Sequence, residues 1–199
     1  MSETPTLRSQ AKANRREALL SAAARLFAER GFNGVSLEEL GAAAGVSGPA
    51  VYRHFEGKQA LLGALLVGVS QHLSDRGRSV VEAARDDNDA LRALVRFHVD
   101  FALSNPDVIR VQGQDLGNLS DDDRHAVRAL QRTYVELWVQ VLGRIHPQVD
   151  TASLRIRAHA AFGLINSTPH SVRTADTRAI LEQMALAGLA SAGAHAPAS

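Results

Sequence analysis

The chain has 199 residues, 45% of them apolar and 22% charged, which is ordinary globular composition with enough apolar surface for a core. It contains no cysteine, which excludes disulfides, thiolate metal centres and cysteine nucleophiles. The net charge of +1 singles out no partner, no apolar run reaches the ~18 residues of a membrane span, and the polar opening MSETPTLRSQAKANRR lacks the apolar stretch of a signal peptide, so a soluble, cytoplasmic protein is expected.

Alanine and leucine are abundant, and period-two runs of valine and aromatics are lacking. The fold class is therefore all-α, with about nine helices in total. Residues 1–12 read as a flexible basic arm, because Arg8, Lys12, Arg15 and Arg16 stand against Glu3 alone in the first sixteen residues. Such an arm either reaches DNA or is simply solvated. The first helix is expected from Ala13 or Asn14 to Arg30. Leu19, Ala22, Ala23, Leu26 and Phe27 follow amphipathic spacing, and Gly31 supplies a left-handed stop. Ser36 and Glu39 form a capping box for a second helix, which ends near Ala44 before Gly45, with Val35 stapled onto Leu40. A third helix runs from after Ser47 to about Phe55. A long fourth starts at Gly57-Lys58 and continues to about Ala84. Next come a helix from near Asp89 to Leu103 and a short one opened by Asn105 and Pro106 that ends near Gly113. Ser120 and three aspartates favour the positive end of a helix running to about Arg144. The last two helices span about 151–166 and 176–192, and residues 193–199 read as a flexible tail.

The segment SLEELGAAAGVSGPAVYRHF, Ser36 to Phe55, places two short helices around a tight glycine turn. Leu37, Leu40, Val46, Val51 and Phe55 can face inward and fix the angle between them. Ser47, Gly48, Pro49, Ala50, Tyr52, Arg53 and His54 are left at the front or side of the third helix. Gly48, Pro49 and Ala50 are small enough for close approach to base edges, and Pro49 costs little in a first turn. Pro49 and Ala50 can touch thymine methyls, while Arg53 can fork onto a guanine or grip a phosphate. Ser47, Tyr52 and His54 can bond phosphate oxygens, and Lys58 begins the next helix, where an anion is also favoured.

From about Arg15 to Leu62 the chain resembles the DNA-binding domain of the TetR family of regulators. The resemblance rests on Ala23, Leu26, Phe27, Gly31, Phe32, Ser36, Leu40, Ala44, Gly45, Val46, Ser47, Tyr52, His54, Phe55, Lys58 and Leu61, and most of all on the run AGVSGPAVYRHFEGKQALL. Gly41 departs from it, since the family more often has alanine there. The resemblance implies that Ser36, Ser47, Tyr52, His54 and Lys58 contact the DNA backbone. It implies that Gly48, Pro49, Ala50 and Arg53 read or approach bases. The organisation it implies is a basic arm over 1–12, a three-helix helix-turn-helix domain over 13–60, a larger helical effector-binding and dimerisation domain over 61–192 and a tail over 193–199. The function it implies is that of a transcription regulator, a repressor released from a palindromic operator by a small ligand.

Beyond residue 65 the resemblance is one of architecture. It implies a homodimer through the last two long helices, about 151–166 and 176–192, with Ala158, Ala161, Phe162, Leu164, Ile165, Ile180, Leu181, Met184, Leu186 and Leu189 as the seam. A two-fold operator needs two recognition helices about 34–36 Å apart. An effector pocket is expected among the middle helices. Phe97, Phe101, Val111, Tyr134, Trp138 and Phe162, with Val108, are its candidate walls. Arg110, Gln114 and Asn166, with Gln112, are its candidate polar groups. Their character suits a lipophilic or acyl-type effector, with the helix starting at Lys58 as the coupling element. Core or surface packing is the competing reading for each of these residues.

Enzyme signatures are missing: there is no P-loop, dinucleotide fingerprint or GxSxG elbow. The aspartates 121–123 lack EF-hand spacing and suit a helix start, and His146, His159 and His170 lack metal-ligand spacing. No cofactor and no metal are expected. The alternative that remains is a helical protein-interaction module without DNA binding.

Overall fold

The structure is a computed structural model that describes residues 7–170 and 174–191. Among the described residues there are nine α-helices, three short 3-10 turns and no strand. The helices are α1 Leu7–Arg30, α2 Leu37–Ala43, α3 Gly48–Val51, α4 Lys58–Glu82, α5 Asp87–Ser104, α6 Pro106–Gln114, α7 Asp121–Ile145, α8 Thr151–Ile165 and α9 Thr177–Ala190.

Helix α1 begins six residues before the expected start at Ala13, so residues 7–12 of the expected arm are helical. After Pro5 no proline or glycine interrupts the run until Gly31, and Gln10, Ala11 and Lys12 are good helix formers, so nothing ends the helix sooner. Residues 1–6 and 193–199, the rest of the arm and the tail, lie outside the described residues.

The chain forms two compact units. The first holds the residues up to Val69 together with Asp107–Val127; the second holds Ser70–Pro106 and the chain from Arg128 onward. The first unit is centred on Leu19, Ala23, Phe27, Leu40, Val51, Leu61 and Leu62, all fully buried or nearly so. Fully burying each leucine, valine or phenylalanine of this set stabilises the fold by about 1.5–3 kcal/mol, which is what holds α1, α2 and α4 around short α3. The second unit is centred on Leu94, Val95, Trp138, Leu142, Ala158 and Ile165. His146 is buried at the end of α7, its Nε2 3.0 Å from the Leu189 carbonyl, and ties that end to α9.

Two glycines carry backbone that L-residues avoid. Gly31 closes α1 and Gly45 the turn after α2, both at φ +70°.

Candidate functional site

The geometry around α3 follows from local hydrogen bonds. Ser36 caps α2: its hydroxyl accepts from Glu39 N–H at 3.2 Å while Ser36 N–H donates to Glu39 Oε2 at 2.8 Å. Glu39 also takes the Arg30 guanidinium at 2.7 Å. The Ser36 backbone bond, and after it Arg30, hold the Glu39 carboxyl down at about 2. Helix α2 closes in a Schellman turn, with Gly45 N–H donating to the Ala42 carbonyl at 3.1 Å and Val46 N–H to the Gly41 carbonyl at 2.9 Å. That turn aims the chain into α3.

Helix α3 is shorter than the expected run to Phe55. Regular α-helix covers Gly48–Val51. Pro49 supplies no N–H, and the N–H groups of Ala50, Arg53 and His54 reach back three residues, to Ser47, Ala50 and Val51, so the remainder is wound tighter. Phe55 N–H returns to the Val51 carbonyl at 3.0 Å. Val51 and Phe55 are buried as expected, and Leu37 and Val46 are half-buried. Outward stand Ser47, Pro49, Arg53 and Tyr52, the last 59% exposed; Gly48, Ala50 and His54 are half-buried. The Ser47 side chain makes no cap bond, so its hydroxyl is not spent on the helix.

A concavity of about 530 Å³ lies between the start of α1 and α3, lined by Lys12, Arg15, Val46, Ser47, Ala50, Arg53 and His54. Three cationic side chains thus meet a hydroxyl and an imidazole in one recess. His54 Nδ1 is buried without a hydrogen-bond partner, which is costly unless something enters. Arg15 was legible only as part of a basic count; that it faces the third helix depends on where α1 packs. Arg16 lies 5.0 Å from the centroid of the Phe55 ring and helps seat it.

Two of the expected backbone contacts have inward duties. Lys58 Nζ donates to the Phe32 and Val35 carbonyls, both at 2.8 Å, and stands 4.4 Å from the Phe32 ring centroid. Two of its three donors are therefore committed, which sequence alone did not signal. The Ser36 hydroxyl oxygen serves the cap and keeps its O–H to give.

In the second unit the residues expected to wall a pocket pack on one another around a histidine. His98 lies among Phe101, Tyr134, Trp138 and Phe162, with ring centroids 4.9–6.3 Å away. Its Nε2 is 3.1 Å from Asn166 Oδ1 and its Nδ1 3.3 Å from the Tyr134 hydroxyl. One neutral tautomer satisfies both: Nε2–H donates to Asn166, and Nδ1 accepts from Tyr134. Burial lowers the imidazole to about 4, the Asn166 bond pulling the other way, and burial pushes the Tyr134 phenol up. The Trp138 indole N–H is buried without a partner at hydrogen-bond geometry. Phe97 is half-buried and faces His72, ring centroids 6.0 Å apart. Arg110, Val111 and Gln114 lie on α6, in the first unit; Val111 is fully buried, Arg110 half-buried and Gln114 exposed. His98 does not face Asp100, two residues along α5. Its partners come from α7 and α8 instead, and Asp100 pairs with Arg178.

The seam on α8 and α9 needs a correction. Ala158, Ala161, Ile165, Leu181 and Leu189 are buried within this chain and hold the two helices to its own core. The apolar side chains facing solvent are Ile156 at 69%, Met184 at 53% and Ile180 at 49% exposure. Ile156 was not among the expected residues. The seam pattern sums two faces, one inward and one outward, that an alanine-rich helix does not distinguish.

Two family descriptions match. Residues 19–65 match "Bacterial regulatory proteins, tetR family", and residues 84–170 match "Tetracyclin repressor-like, C-terminal domain". The HTH-type transcriptional repressor KstR2 of Rhodococcus jostii is 28% identical over 143 residues, 71% of this chain and 70% of that protein. The HTH-type transcriptional activator FasR of Mycolicibacterium smegmatis is 36% identical over 87 residues, 44% of this chain and 40% of that one. In fold, the chain is similar to a TetR-family transcriptional regulator from Bordetella parapertussis, with a TM-score of 0.79 at 22% identity over 87% of this chain and 93% of the other.

Proposed function

From the chain's membership of the TetR family of bacterial transcription regulators, we propose that it is a dimeric repressor of a palindromic operator, released by a small lipophilic or acyl-type ligand. The observation that carries the DNA-binding part is the recess of Lys12, Arg15, Ser47, Arg53 and His54 beside an exposed helix start of small residues. A backbone phosphate fits the recess: it brings the negative charge that three cations call for and an acceptor for an N–H at the orphaned His54 Nδ1. With the phosphate seated there, Gly48, Pro49 and Ala50 lie against base edges, Arg53 stands at the border between phosphate and base, and Tyr52 and Ser47 hold the flanking backbone. Ser36 contributes its O–H and Lys58 its third donor.

The exposed Ile156, Ile180 and Met184, with small residues between them, suit a second copy of the same helices across a two-fold axis. The effector region assigned to the second unit is the Phe97, Phe101, Tyr134, Trp138, Phe162 and Asn166 neighbourhood. It is apolar with a few polar groups, the character of a small-molecule site. A ligand that favours a dimer with a different helix spacing would take the repressor off DNA.

Selection of bound sequences from random duplex DNA by the purified chain tests this reading. A palindromic consensus with half-sites about one helical turn apart is the expected result. Failure to enrich any sequence at low and moderate salt would move the interaction-module reading to first place. Transcription from a promoter carrying the consensus then separates a repressor from an activator.

A further inference from the structure

Within the second unit α4 and α7 approach closely at Gly77. A Cβ there would stand 2.5 Å from the Tyr134 ring and 3.2 Å from Leu137 Cδ2, so only glycine allows the approach. A groove of about 570 Å³ shares Leu137 with this contact and is also lined by Arg78, Arg132, Thr133, Glu136 and Gln140. That size suits a small organic ligand.

Its charge is unbalanced. Elsewhere in this unit Arg85, Arg92, Arg144, Arg155 and Arg178 are paired with carboxylates, and Arg157 reaches a carbonyl. Among the described residues Arg76 and Arg78 on α4, and Arg128 and Arg132 on α7, have no such partner, and besides them only Arg96 on α5 does not. The unit's arginines without an ion pair thus gather on the two helices that flank the groove, and on α4 Asp75 and Glu82 stand three and four residues from Arg78. Arg128 and Arg132 stand four residues apart on one face, where like charges repel. The groove's own acid, Glu136, is already taken by Arg155 Nε at 3.1 Å.

We propose that this groove binds a soluble phosphate monoester with a short apolar body, gripped by Arg78 and Arg132 from two different helices. A carboxylate has two oxygens and fills a single guanidinium fork. A phosphate monoester presents three acceptor oxygens and close to two charges, enough for both forks. Leu137 receives the apolar body, and Gln140 and Thr133 offer neutral polar groups at the rim. The inference is independent of the DNA-binding reading, because its readout needs no DNA.

Isothermal titration of the full chain with hexyl phosphate tests it. One saturable site per chain is expected, with hexanoate and inorganic phosphate both binding at least about tenfold more weakly, the first for want of oxygens and the second for want of an apolar body. Arg78→Ala and Arg132→Ala each weaken hexyl phosphate about tenfold or more. Arg132→Lys does so too, because lysine keeps the charge and loses the fork. Arg96→Ala leaves it unchanged. No saturable site, or one that survives Arg78→Ala and Arg132→Ala together, overturns the proposal. So does capture of the chain by vesicles of phosphatidylcholine and phosphatidic acid when hexyl phosphate does not bind, since that would make the source a lipid surface.

Discussion

Around Val51 the buried layer is thin: Leu40, Val51 and Phe55 lie beneath a short helix whose Ser47, Tyr52 and Arg53 stand in solvent. Around Trp138, four aromatic side chains close over an imidazole whose two nitrogens are both satisfied inside the protein. The first region takes its shape from bonds between residues two to five apart in sequence: a capping box, a Schellman turn and a tightened helix end. The second takes its shape from side chains of α5, α7 and α8, far apart along the chain. Polar groups are spent on shape in the first and left over for a partner; in the second His98, Tyr134 and Asn166 are spent on one another, while the Trp138 indole N–H is left without a partner. Stability should therefore respond strongly to changes in the cluster and weakly in the recognition segment, while DNA affinity should respond the other way.

The largest effect is expected at Trp138, which is fully buried. Trp138→Ala removes the ring on which His98, Tyr134 and Phe162 lean, and should cost about 3–5 kcal/mol in urea unfolding. A loss under about 1 kcal/mol would mean that the cluster collapses freely around the gap and is no rigid core.

Next is acid. The folded imidazole of His98 refuses a proton until about pH 4, whereas an unfolded one takes it near 6.5. Between those values the unfolded state binds more protons, so stability is complete above about pH 6.5 and falls as pH drops towards 4, by about 3 kcal/mol over the window. Glu39 titrates in a separate window. Its carboxyl, held at about 2, adds stability above about pH 4.5 that is lost as pH falls through 2. The cluster should thus loosen at a higher pH than the α2 cap. His98→Gln should flatten unfolding stability between pH 6.5 and 4 while leaving the lower window as it was. An unchanged slope would mean that another group carries the proton.

In the recognition segment the expected response moves from stability to DNA. Arg53→Ala should leave the urea midpoint unchanged and weaken operator binding by about 1–3 kcal/mol. Equal losses on operator and random duplex would place Arg53 wholly on phosphate, with Lys12 and Arg15. Loss confined to the operator would place it on a base. Ser36→Ala is smaller in stability, about 1 kcal/mol from the lost cap, and should be felt on DNA as well, since the same cap orients α2 under α3. A Ser36→Ala chain as stable as the parent would show that the Glu39–Arg30 pair holds the helix start alone.

What could be read ahead of the structure divides along the same line. Ser36, Glu39, Gly45 and the buried Val51 and Phe55 announce themselves because their partners lie within a few residues. The helices α4 to α9 were legible within a few residues at each end for the same reason. The groupings were not. His98 finds Tyr134 and Asn166 at 36 and 68 residues' separation. Arg15 meets Arg53 only through the packing of α1, and Ile156 is told from Ala158 only by which side of α8 the core lies on. Lys58 shows the limit from the other side. Its position in the motif is local, but the Phe32 and Val35 carbonyls that hold its ammonium are 26 and 23 residues away.

The smallest net effect, and the most discriminating, is expected at Gly41. Helix propensity alone gives alanine an advantage of about 1 kcal/mol over glycine within α2. Against it, a Cβ at Gly41 would stand 3.0 Å from both the Val46 carbonyl oxygen and Val51 Cγ2. Neither neighbour yields easily: Val46 sits in the turn that Gly45 closes, and Val51 is fully buried. The two terms oppose each other at similar size, so Gly41→Ala should change unfolding stability by less than about 0.5 kcal/mol. Its cost should appear on DNA, because both contacts lie where α2 meets α3 and relief has to come from moving the recognition helix by a few tenths of an ångström. A chain stabilised by the full propensity gain with operator binding intact would show slack at that joint. The seat of α3 would then be set by the Schellman turn and the Phe55 anchor rather than by close approach at Gly41.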